Sequence, residues 1–493
     1  MDRPASIESG NRQSGQALPL ALVFLLVLCV GVLVTFSTGQ VVGKKVELTN
    51  AADAAAYSIA VEQARARNLA AYLNRGRVAN EVAIAQMVSL NSWVTMIHST
   101  SDNFGDFIDT AQDFLFWVPY VGQALTALDR AMQAVNQALK VFRKAEIPII
   151  NAAIMGLDQV MNHAYAKTAK LALGDVGSSL NVQGMAGKVV QDNSPGAELT
   201  AAARGVLEKN ILQANNQLNL FKPGQRNGLR RTNEGGERYR NVVMASRDEF
   251  TRDRKTSGLF GFSSNGGTDL VEYDRWSAVD VHEFNFGIPF VFDIKFPLGW
   301  GGTQAVNETP RPKFFPGMNN NRGWRSPYDN RTYKAYNGVK KNSLSGRFIE
   351  DDPAVDDGGF KDKDAYLRGY RYGISHDYHD VKRGYSETPE GDKAGPIYTV
   401  EVSTKIDKAR TSTAIGAGVG RMELKDEARG GDLRAMASAQ VYFNRPYNYA
   451  PFKRMVWGRS DRKFEQGSMF SPYWQARLVE TPLTDRTLLL AGP

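Results

Sequence analysis

The longest apolar segment of the chain lies close to its start. No charged residue occurs from Gln13 to Gly43, and Ala17–Phe36 reads ALPLALVFLLVLCVGVLVTF. A helix of about twenty residues, rising ~1.5 Å per residue, crosses the ~30 Å hydrocarbon core of a bilayer. A cleavable signal peptide has a shorter apolar region of ~7–15 residues that ends in a small-residue cleavage site, a pattern absent from this segment. We therefore predict a retained transmembrane helix over residues 17–36, preceded by a short segment, residues 1–16.

Beyond the span, apolar residues recur at helical spacing as far as residue 221. The steps alternate between three and four residues, which is typical of amphipathic helices that bury one face. The four stripes are Ala83, Met87, Leu90, Val94 and Ile97; Leu125, Leu128, Met132, Val135, Leu139 and Phe142; Ile150, Ile154, Leu157, Met161, Ala164 and Leu171; and Leu207, Ile211, Ala214, Leu218 and Phe221. The pattern predicts a helical stalk or bundle over residues 37–221.

Two breaks are expected within this helical region. Pro148 is tolerated in the first turn of a helix but not in its interior, so we predict that it separates two helices. The glycine-rich and polar segment Gly174–Gly196 is typical of a loop. The stripes themselves allow two interpretations, a coiled-coil surface for a partner or packing of these helices against each other. We favour packing within the chain.

The composition changes after residue 221, where aromatic residues and prolines become frequent. Short segments rich in β-branched and aromatic residues, punctuated by Gly, Pro and Asn, are typical of strands. The best candidates are Phe286–Phe296, Pro396–Thr404 and Ala437–Arg445, whereas Asn307–Lys341 has the composition of an irregular segment. The prediction is an α+β chain, in which a span and a helical stalk precede a β-rich, loop-heavy extracytoplasmic domain over residues 222–493.

Charge and cysteine content exclude some classes of protein. The 493 residues carry a net charge of +8 with both signs mixed, which is weak evidence for a nucleic-acid partner. The basic and aromatic tract Arg331–Lys341 could stack on bases, but an exposed loop is the simpler interpretation for a membrane-tethered chain. We predict no nucleic-acid partner. The single cysteine, Cys29, excludes an intrachain disulfide framework and a zinc site built from several cysteines.

Residues with catalytic or metal-binding chemistry form no convincing constellation. His376 and His379 lie three residues apart, beside Asp377 and Asp380, and could share a metal on one helical face. A polar, solvated turn is the preferred interpretation, as is a solvated loop for the acidic run Glu350–Asp364. The serine motif of hydrolases, the phosphate-binding loop and the full dinucleotide fingerprint are missing from the sequence. We therefore predict no catalytic residue, no metal site and no cofactor.

A short motif follows the span and carries a family resemblance. An apolar helix that starts at GQALPLAL is followed, after a short gap, by a seven-residue motif: Asn50, Ala51, Ala52, Asp53, Ala54, Ala55 and Ala56. This arrangement resembles the N-terminal segment of TadG-like proteins, which belong to the tight-adherence (Flp) pilus assembly systems of bacteria. The resemblance covers roughly residues 10–75. The alanines would permit close approach of neighbouring helices, while Asn50 or Asp53 could cap a helix or bridge near the lipid headgroups.

The resemblance implies a non-enzymatic, membrane-anchored component of pilus assembly, with a role in anchoring or presentation. It places the chain in the bacterial inner membrane as a single-pass protein, with residues 1–16 cytoplasmic and the C-terminal part periplasmic. Its expected partners are the lipid bilayer, other pilus-assembly proteins or pilin-like subunits, and a homo- or hetero-oligomer formed through the helical stripes. The alternative function is an exported, membrane-tethered hydrolase or ligand-binding sensor whose site lies in the β-rich domain.

Two departures from the patterns of related proteins limit which of their properties are inferred for this chain. Type IV prepilins are processed after a glycine that is followed five residues later by a glutamate, whereas Leu20 stands five residues after Gly15. We therefore expect the anchor to be retained. Some TadG-like proteins carry a von Willebrand A-type domain with an Asp-x-Ser-x-Ser metal motif, and this triplet is absent from the chain, so metal-dependent adhesion is not inferred.

Overall fold

A computed structural model gives the fold. It describes residues 17–115, 120–221, 236–257, 261–272, 275–288, 292–306, 324–325, 332–333, 366–371, 374, 378–382, 395–405, 431–444 and 467–491. The predicted N-terminal segment 1–16, the acidic run Glu350–Asp364, and the residues His376 and Asp377 lie outside this part of the chain. So do most of Asn307–Lys341 and of the basic tract Arg331–Lys341.

A single long helix forms the spine of the molecule. Helix α1, Ala17–Leu115, continues without interruption from the predicted span into the region of the first amphipathic stripe. At ~1.5 Å per residue it is about 150 Å long. Its first part, through Phe36, exposes its large apolar side chains, as a segment surrounded by lipid would. The continuous helix confirms the prediction of an apolar N-terminal helix that extends into a stalk.

Four helical segments run back along α1 towards the span. They are α2, Val121–Met155, a π-helical segment, Gly156–Asn162, α3, His163–Val176, and α4, Ser179–Asn193. Side-chain contacts show this direction, because later residues of these segments contact earlier residues of α1. Asn80 donates to Asn162 at 2.9 Å, Gln63 donates to the carbonyl of Val176, and Lys44 donates to Ser194 at 3.2 Å.

Both expected breaks in this returning arm are wrong. Pro148 lies inside α2 on an exposed face of the helix, and Lys144, whose carbonyl loses its usual amide partner, is an exposed residue too. The predicted loop Gly174–Gly196 contains α4, because Val182, Ala186 and Val190 form a stripe that is buried in the core. Burial of this stripe outweighs the low helix propensity of the glycines around it.

The π-helical segment changes which face of the arm is buried. Ile150 and Ile154 of the third predicted stripe are buried, but Met161 and Leu171 of the same stripe are exposed. A π turn contains more residues than an α turn, so it shifts the residues after Asn162 around the helix axis. The sequence positions that face the core therefore change at this segment. A single stripe over 150–171 was therefore a wrong prediction.

The first of two sheets packs near the span. It has four antiparallel strands in the order β1-β11-β12-β13, and helices α5 and α8 lie beside it. The bounds are β1, Glu198–Leu199; α5, Ala201–Gln217; β11, Ile397–Lys405; β12, Asp432–Phe443; β13, Trp474–Val479; and α8, Leu483–Leu490. Strands β11 and β12 confirm the strands predicted at Pro396–Thr404 and Ala437–Arg445. We call the apolar cluster between this sheet, α4 and residues 48–70 of α1 the proximal core.

The second sheet packs farther along α1. It has five strands in the order β3-β4-β5-β6-β9, with β9 parallel to β6 and the other pairs antiparallel. The bounds are β3, Thr256–Ser257; β4, Phe262–Glu272; β5, Arg275–Ile288; β6, Phe292–Val306; and β9, Tyr366–Leu367. The strand predicted at Phe286–Phe296 is instead the end of β5 and the start of β6, which pair with each other. We call the cluster that includes Val78, Ile84, Val88 and Trp276 the distal core.

The remaining elements lie outside the two sheets. They are β2, Leu218–Phe221, which pairs with β10, Tyr378–Val381; α6, Gly236–Ala245; α7, Glu249–Arg252; and the short pair β7, Trp324–Arg325, and β8, Thr332–Tyr333. Both cores combine residues from 37–221 with residues from 222–493. The result is a mixed helix and sheet fold built along one spine, as the α+β prediction expected.

Candidate functional site

The motif Asn50–Ala56 lies in the interior of α1. It begins 14 residues after Phe36, which corresponds to about 20 Å along the helix axis. Because the helix extends far in both directions, neither Asn50 nor Asp53 caps a helix terminus. Of the two roles suggested for these residues, capping is therefore wrong, and bridging near the lipid headgroups stays a prediction.

One side of the motif is fully buried by the chain itself. Ala51, Ala52, Ala55 and Ala56 are all 0% exposed. The last three belong to the proximal core, in the same cluster as strand residues such as Val400, Val402 and Ala437 of the first sheet. Their small side chains allow the α1 backbone to approach the large residues of that sheet closely. The alanines thus share this core with α4, a neighbouring helix of the kind that the sequence suggested, and also with the protein's own sheet.

The other side of the motif faces outward. Asn50 and, about two turns farther along, Tyr57 are exposed, and Asp53 and Ala54 are half-buried between them. Partial burial raises the pKa of the Asp53 carboxyl group above its usual value, and no other group opposes this effect. Within the part of the chain that the structure describes, Asp53 forms no ion pair. The motif therefore presents a partly desolvated carboxyl group on an accessible surface.

Two lysines fix the point where α1 enters the folded part. Lys44 Nζ lies 2.7 Å from Glu47 Oε1 and 3.2 Å from Ser194 Oγ at the end of α4. The hydrogen bond from Lys44, with a second from Ser194, lowers the pKa of Glu47. Lys45 Nζ donates to the backbone carbonyl of Arg434 on β12. In the sequence, this lysine pair indicated only charge near the membrane, and no pattern there revealed that the two side chains bind the end of α4 and strand β12.

The histidine and acidic cluster has a structural role where it is described. His379 is half-buried in β10, and Asp380 is fully buried beside it. Asp380 pairs with Arg238, and its Oδ1 accepts hydrogen bonds from the backbone amides of Val381 and Met469, each at 2.8 Å. These contacts join β10 to α6 and to the chain near Met469. The predicted solvated turn is thus wrong for Asp380, which is a buried link between elements.

A second buried carboxyl group, which sequence reasoning missed, lies in the distal core. Glu81 of α1 accepts hydrogen bonds from Trp276 Nε1 at 3.1 Å, Tyr370 Oη at 2.9 Å and Asn162 Nδ2 at 3.2 Å. Burial, with a contribution from nearby Asp158, raises the pKa of Glu81 to about 8. Its partners come from three separate parts of the chain, so the group ties the distal core together. Only its position on the buried face of α1 could have signalled this role.

No arrangement typical of a metal site occurs among the described residues, since they include no group of three or more His, Cys, Asp or Glu side chains suited to a metal ion. One helix of the described part, α1, is long and apolar enough to cross a membrane. The arrangement as a whole is a candidate membrane span that is joined directly to the folded part of the chain, which we call the head.

Comparison with known proteins agrees with this arrangement. Residues 15–68 match the model of the Tad family, described as Flp pilus-assembly TadE/G-like. No curated protein matches the chain, and no solved structure does. The match includes the span, the lysine pair and the whole motif Asn50–Ala56, and it supports a role in pilus assembly. The N-terminal region of this chain is therefore similar to the TadE/G-like segment of the Flp pilus-assembly family.

Proposed function

We propose that the protein is a non-enzymatic, single-pass component of Flp pilus assembly that holds its head in a fixed orientation above the inner membrane. Residues 1–16 are cytoplasmic, and the rest of the chain after the span is periplasmic. In this proposal residues 37–221 and 222–493 act as one unit, because both contribute to each core. The expected partners are other pilus-assembly proteins or pilin-like subunits in or near the same membrane.

The observation that carries the proposal is the uninterrupted connection between the span and the proximal core. Helix α1 contains no break between Phe36 and the buried alanines of the motif. Lys44 and Lys45 bind α4 and β12 just before that core begins. A tether that only retained a catalytic or sensing domain at the membrane would not require such a rigid junction. Rigid coupling suits a protein whose head must meet membrane-bound partners in a defined geometry.

The outward side of the motif is the contact surface that we assign to those partners. Asn50, Asp53 and Tyr57 lie on one stripe of α1, a short distance above the membrane. A half-buried carboxyl group without an ion-pair partner in the described part favours a donor or a cation supplied by another protein.

The test is to uncouple the span from the head. Insertion of the flexible sequence Gly-Ser-Gly-Ser between Gly43 and Lys44 should reduce surface pili at least tenfold, because the head loses its orientation. The matched control inserts the seven-residue helical sequence Ala-Glu-Ala-Ala-Ala-Lys-Ala at the same point. This control keeps the helix continuous and restores nearly the same face, so it should retain more piliation than the flexible insertion.

Both variants are compared at equal membrane levels, with surface pili counted by microscopy. Protease added to spheroplasts should digest the head in each variant, as it should in the unmodified chain. If the flexible insertion supports a normal number of pili, rigid coupling is not required. That result would favour the tethered hydrolase or sensor, which tolerates a flexible connection.

A further inference from the structure

Helix α2 carries two apolar stripes, and the structure covers only one of them. The stripe predicted from the sequence, Leu125 to Phe142, divides between them: Leu125, Met132 and Leu139 are half-buried towards α1. Asn136 on the same side donates to Asp102 of α1, and Lys140 lies 3.7 Å from that carboxylate. The packing of α2 on α1 is thus complete without the rest of the stripe.

The second stripe is exposed and repeats every seven residues. Its large members are Leu128, Val135, Phe142 and Ile149, which are between 41% and 68% exposed. An alanine follows each of them after three residues, and all of these alanines are exposed: Ala131, Ala138, Ala145 and Ala152. We call these eight residues the heptad face. Spacing of three and four over four heptads corresponds to 3.5 residues per turn, which is the repeat of a coiled-coil seam and not that of a helix on a globular core.

We infer that the heptad face docks on the same face of a second copy of this chain, with the two α2 helices parallel and in register. Two copies anchored in one bilayer by the same span have the same orientation, so their α2 helices run in the same direction at the same height. In that arrangement each residue of the face meets its own counterpart. The eight residues include no charged side chain, so a second copy buries no unpaired charge in the seam.

The size of the face suits an association that the membrane supports. From Leu128 to Ala152 the stripe is about 36 Å long, and an α-helix is ~10–12 Å wide. Two copies therefore bury on the order of 800 Å² in total, which is below the ~1,000 Å² expected for a stable soluble complex. Confinement of both copies to one bilayer raises their effective concentration and offsets this shortfall. The alanines allow the two helix axes to approach closely, while the larger residues fill the space between them.

The experiment is disulfide cross-linking of the full-length protein in native membranes. In a background that carries Cys29→Ser, Ala138→Cys places a thiol in the seam, and Gln137→Cys places one on the neighbouring exposed position outside it. An in-register parallel pair brings the two Cα atoms at position 138 within the ~4.4–6.8 Å that a disulfide requires. After mild oxidation, the Ala138→Cys variant should give several-fold more dimer than the Gln137→Cys variant.

A second substitution tests whether the heptad face itself holds the pair. Adding Phe142→Glu to the Ala138→Cys variant should reduce the dimer several-fold, because it places a carboxylate opposite its own copy. Adding Lys144→Glu, an exposed position outside the seam, should leave the dimer unchanged. Equal cross-linking at positions 137 and 138, absence of a dimer at position 138, or a cross-linked product that contains a different protein would overturn the inference.

Discussion

The proximal and distal cores are built on the same helix with opposite chemistry. In the proximal core, α1 contributes small apolar residues such as Ala52, Ala55 and Ala56, and the sheet contributes large ones such as Tyr398 and Val400. In the distal region, α1 instead presents a line of buried polar residues to the second sheet: Ser89, Asn91, Ser92 and Thr95. The close approach of helix to sheet therefore has a different origin in each region.

In the distal region, a glycine on the strand allows the helix and the sheet to approach closely. A Cβ atom at Gly301 of β6 would overlap the carbonyl oxygen of Ser92, so the backbones of β6 and α1 are in contact there. Two of the polar side chains of α1 donate hydrogen bonds across this contact. Asn91 Nδ2 donates to Thr303 Oγ1 at 2.9 Å, and Ser92 Oγ donates to Asp280 Oδ2 at 2.5 Å.

A buried ion pair completes this polar contact between α1 and the second sheet. Arg254 binds Asp280 through two nitrogens, with Nε at 2.6 Å from Oδ1 and Nη2 at 3.0 Å from Oδ2. Such a polar contact requires every hydrogen-bonding partner, because a buried polar group without a partner lowers the free energy of unfolding. The contact of Ala52, Ala55 and Ala56 with the first sheet depends instead on side-chain volume. The two cores should consequently respond to different substitutions and to different solution conditions.

The largest effect is expected where the distal backbones touch. Gly301→Ala should destabilise the distal core by about 3 kcal/mol, because neither the strand nor the helix backbone can move aside cheaply. Hydrogen exchange of the full-length protein should show faster exchange in peptides from β5 and β6, with peptides from β11 and β12 unchanged.

Gly205→Ala is the matched control. Gly205 is an exposed residue inside α5, and a Cβ atom there would meet nothing within 4 Å. The substitution should leave exchange unchanged or slow it slightly, since alanine favours a helix interior more than glycine does. Equal loss of protection in both cores after Gly301→Ala would show that they unfold as one unit and would remove the distinction between them.

A smaller effect is expected in the proximal core. Ala55→Leu adds three carbon atoms at a fully buried position and should cost about 2 kcal/mol through overpacking. Ala54→Leu changes the neighbouring, half-exposed residue and should cost less than about 0.5 kcal/mol, because helix propensity is almost the same. Here exchange should accelerate in β11 and β12 but not in β5 and β6. A larger loss from Ala54→Leu than from Ala55→Leu would mean that the outward side of the motif is the packed one.

The comparison also explains which features could be predicted from the sequence. Local features with a strong residue pattern could be predicted, namely the apolar helix, the motif and the strands around Val400 and Val441. Features decided by long-range packing were not. Pro148 remains inside α2 because its face is exposed, and α4 forms because the first sheet buries Val182 and Val190.

The candidate site shows the same limit. The motif could be located from its residues, but the sequence does not distinguish Ala54 from Ala55, because both fit any alanine-rich helix. The sheet that separates them is formed by strands almost 350 residues later in the chain. Similarly, Lys45 and Glu81 acquire their roles from partners on remote elements, Arg434 and Trp276. No spacing rule near either residue could have revealed these contacts.

The smallest effect concerns the pH dependence of stability that Glu81, a buried carboxyl group of the distal core, should produce. Burial and the nearby Asp158 raise the pKa of Glu81 from 4.5 to about 8, although hydrogen bonds from Trp276 and Tyr370 and the charge of Arg77 act in the opposite direction. The folded protein therefore keeps this proton at pH values where the unfolded chain has lost it. The contribution of Glu81 to stability is fully present below about pH 4.5 and is lost as the pH rises through about 8.

Glu81→Gln should remove this dependence, because glutamine does not titrate and its side-chain oxygen can still accept from Trp276 and Tyr370. In urea unfolding of the detergent-solubilised chain, the unmodified protein should lose about 1 kcal/mol between pH 6 and pH 7, near the limit of ~1.4 kcal/mol per pH unit for one group. The Glu81→Gln variant should lose much less. Glu62→Gln, which changes an exposed carboxylate 3.7 Å from Arg65, should keep the slope of the unmodified protein. An unchanged slope in Glu81→Gln would assign the pH dependence to another group, and the distal core would then owe its difference from the proximal core to polar packing alone.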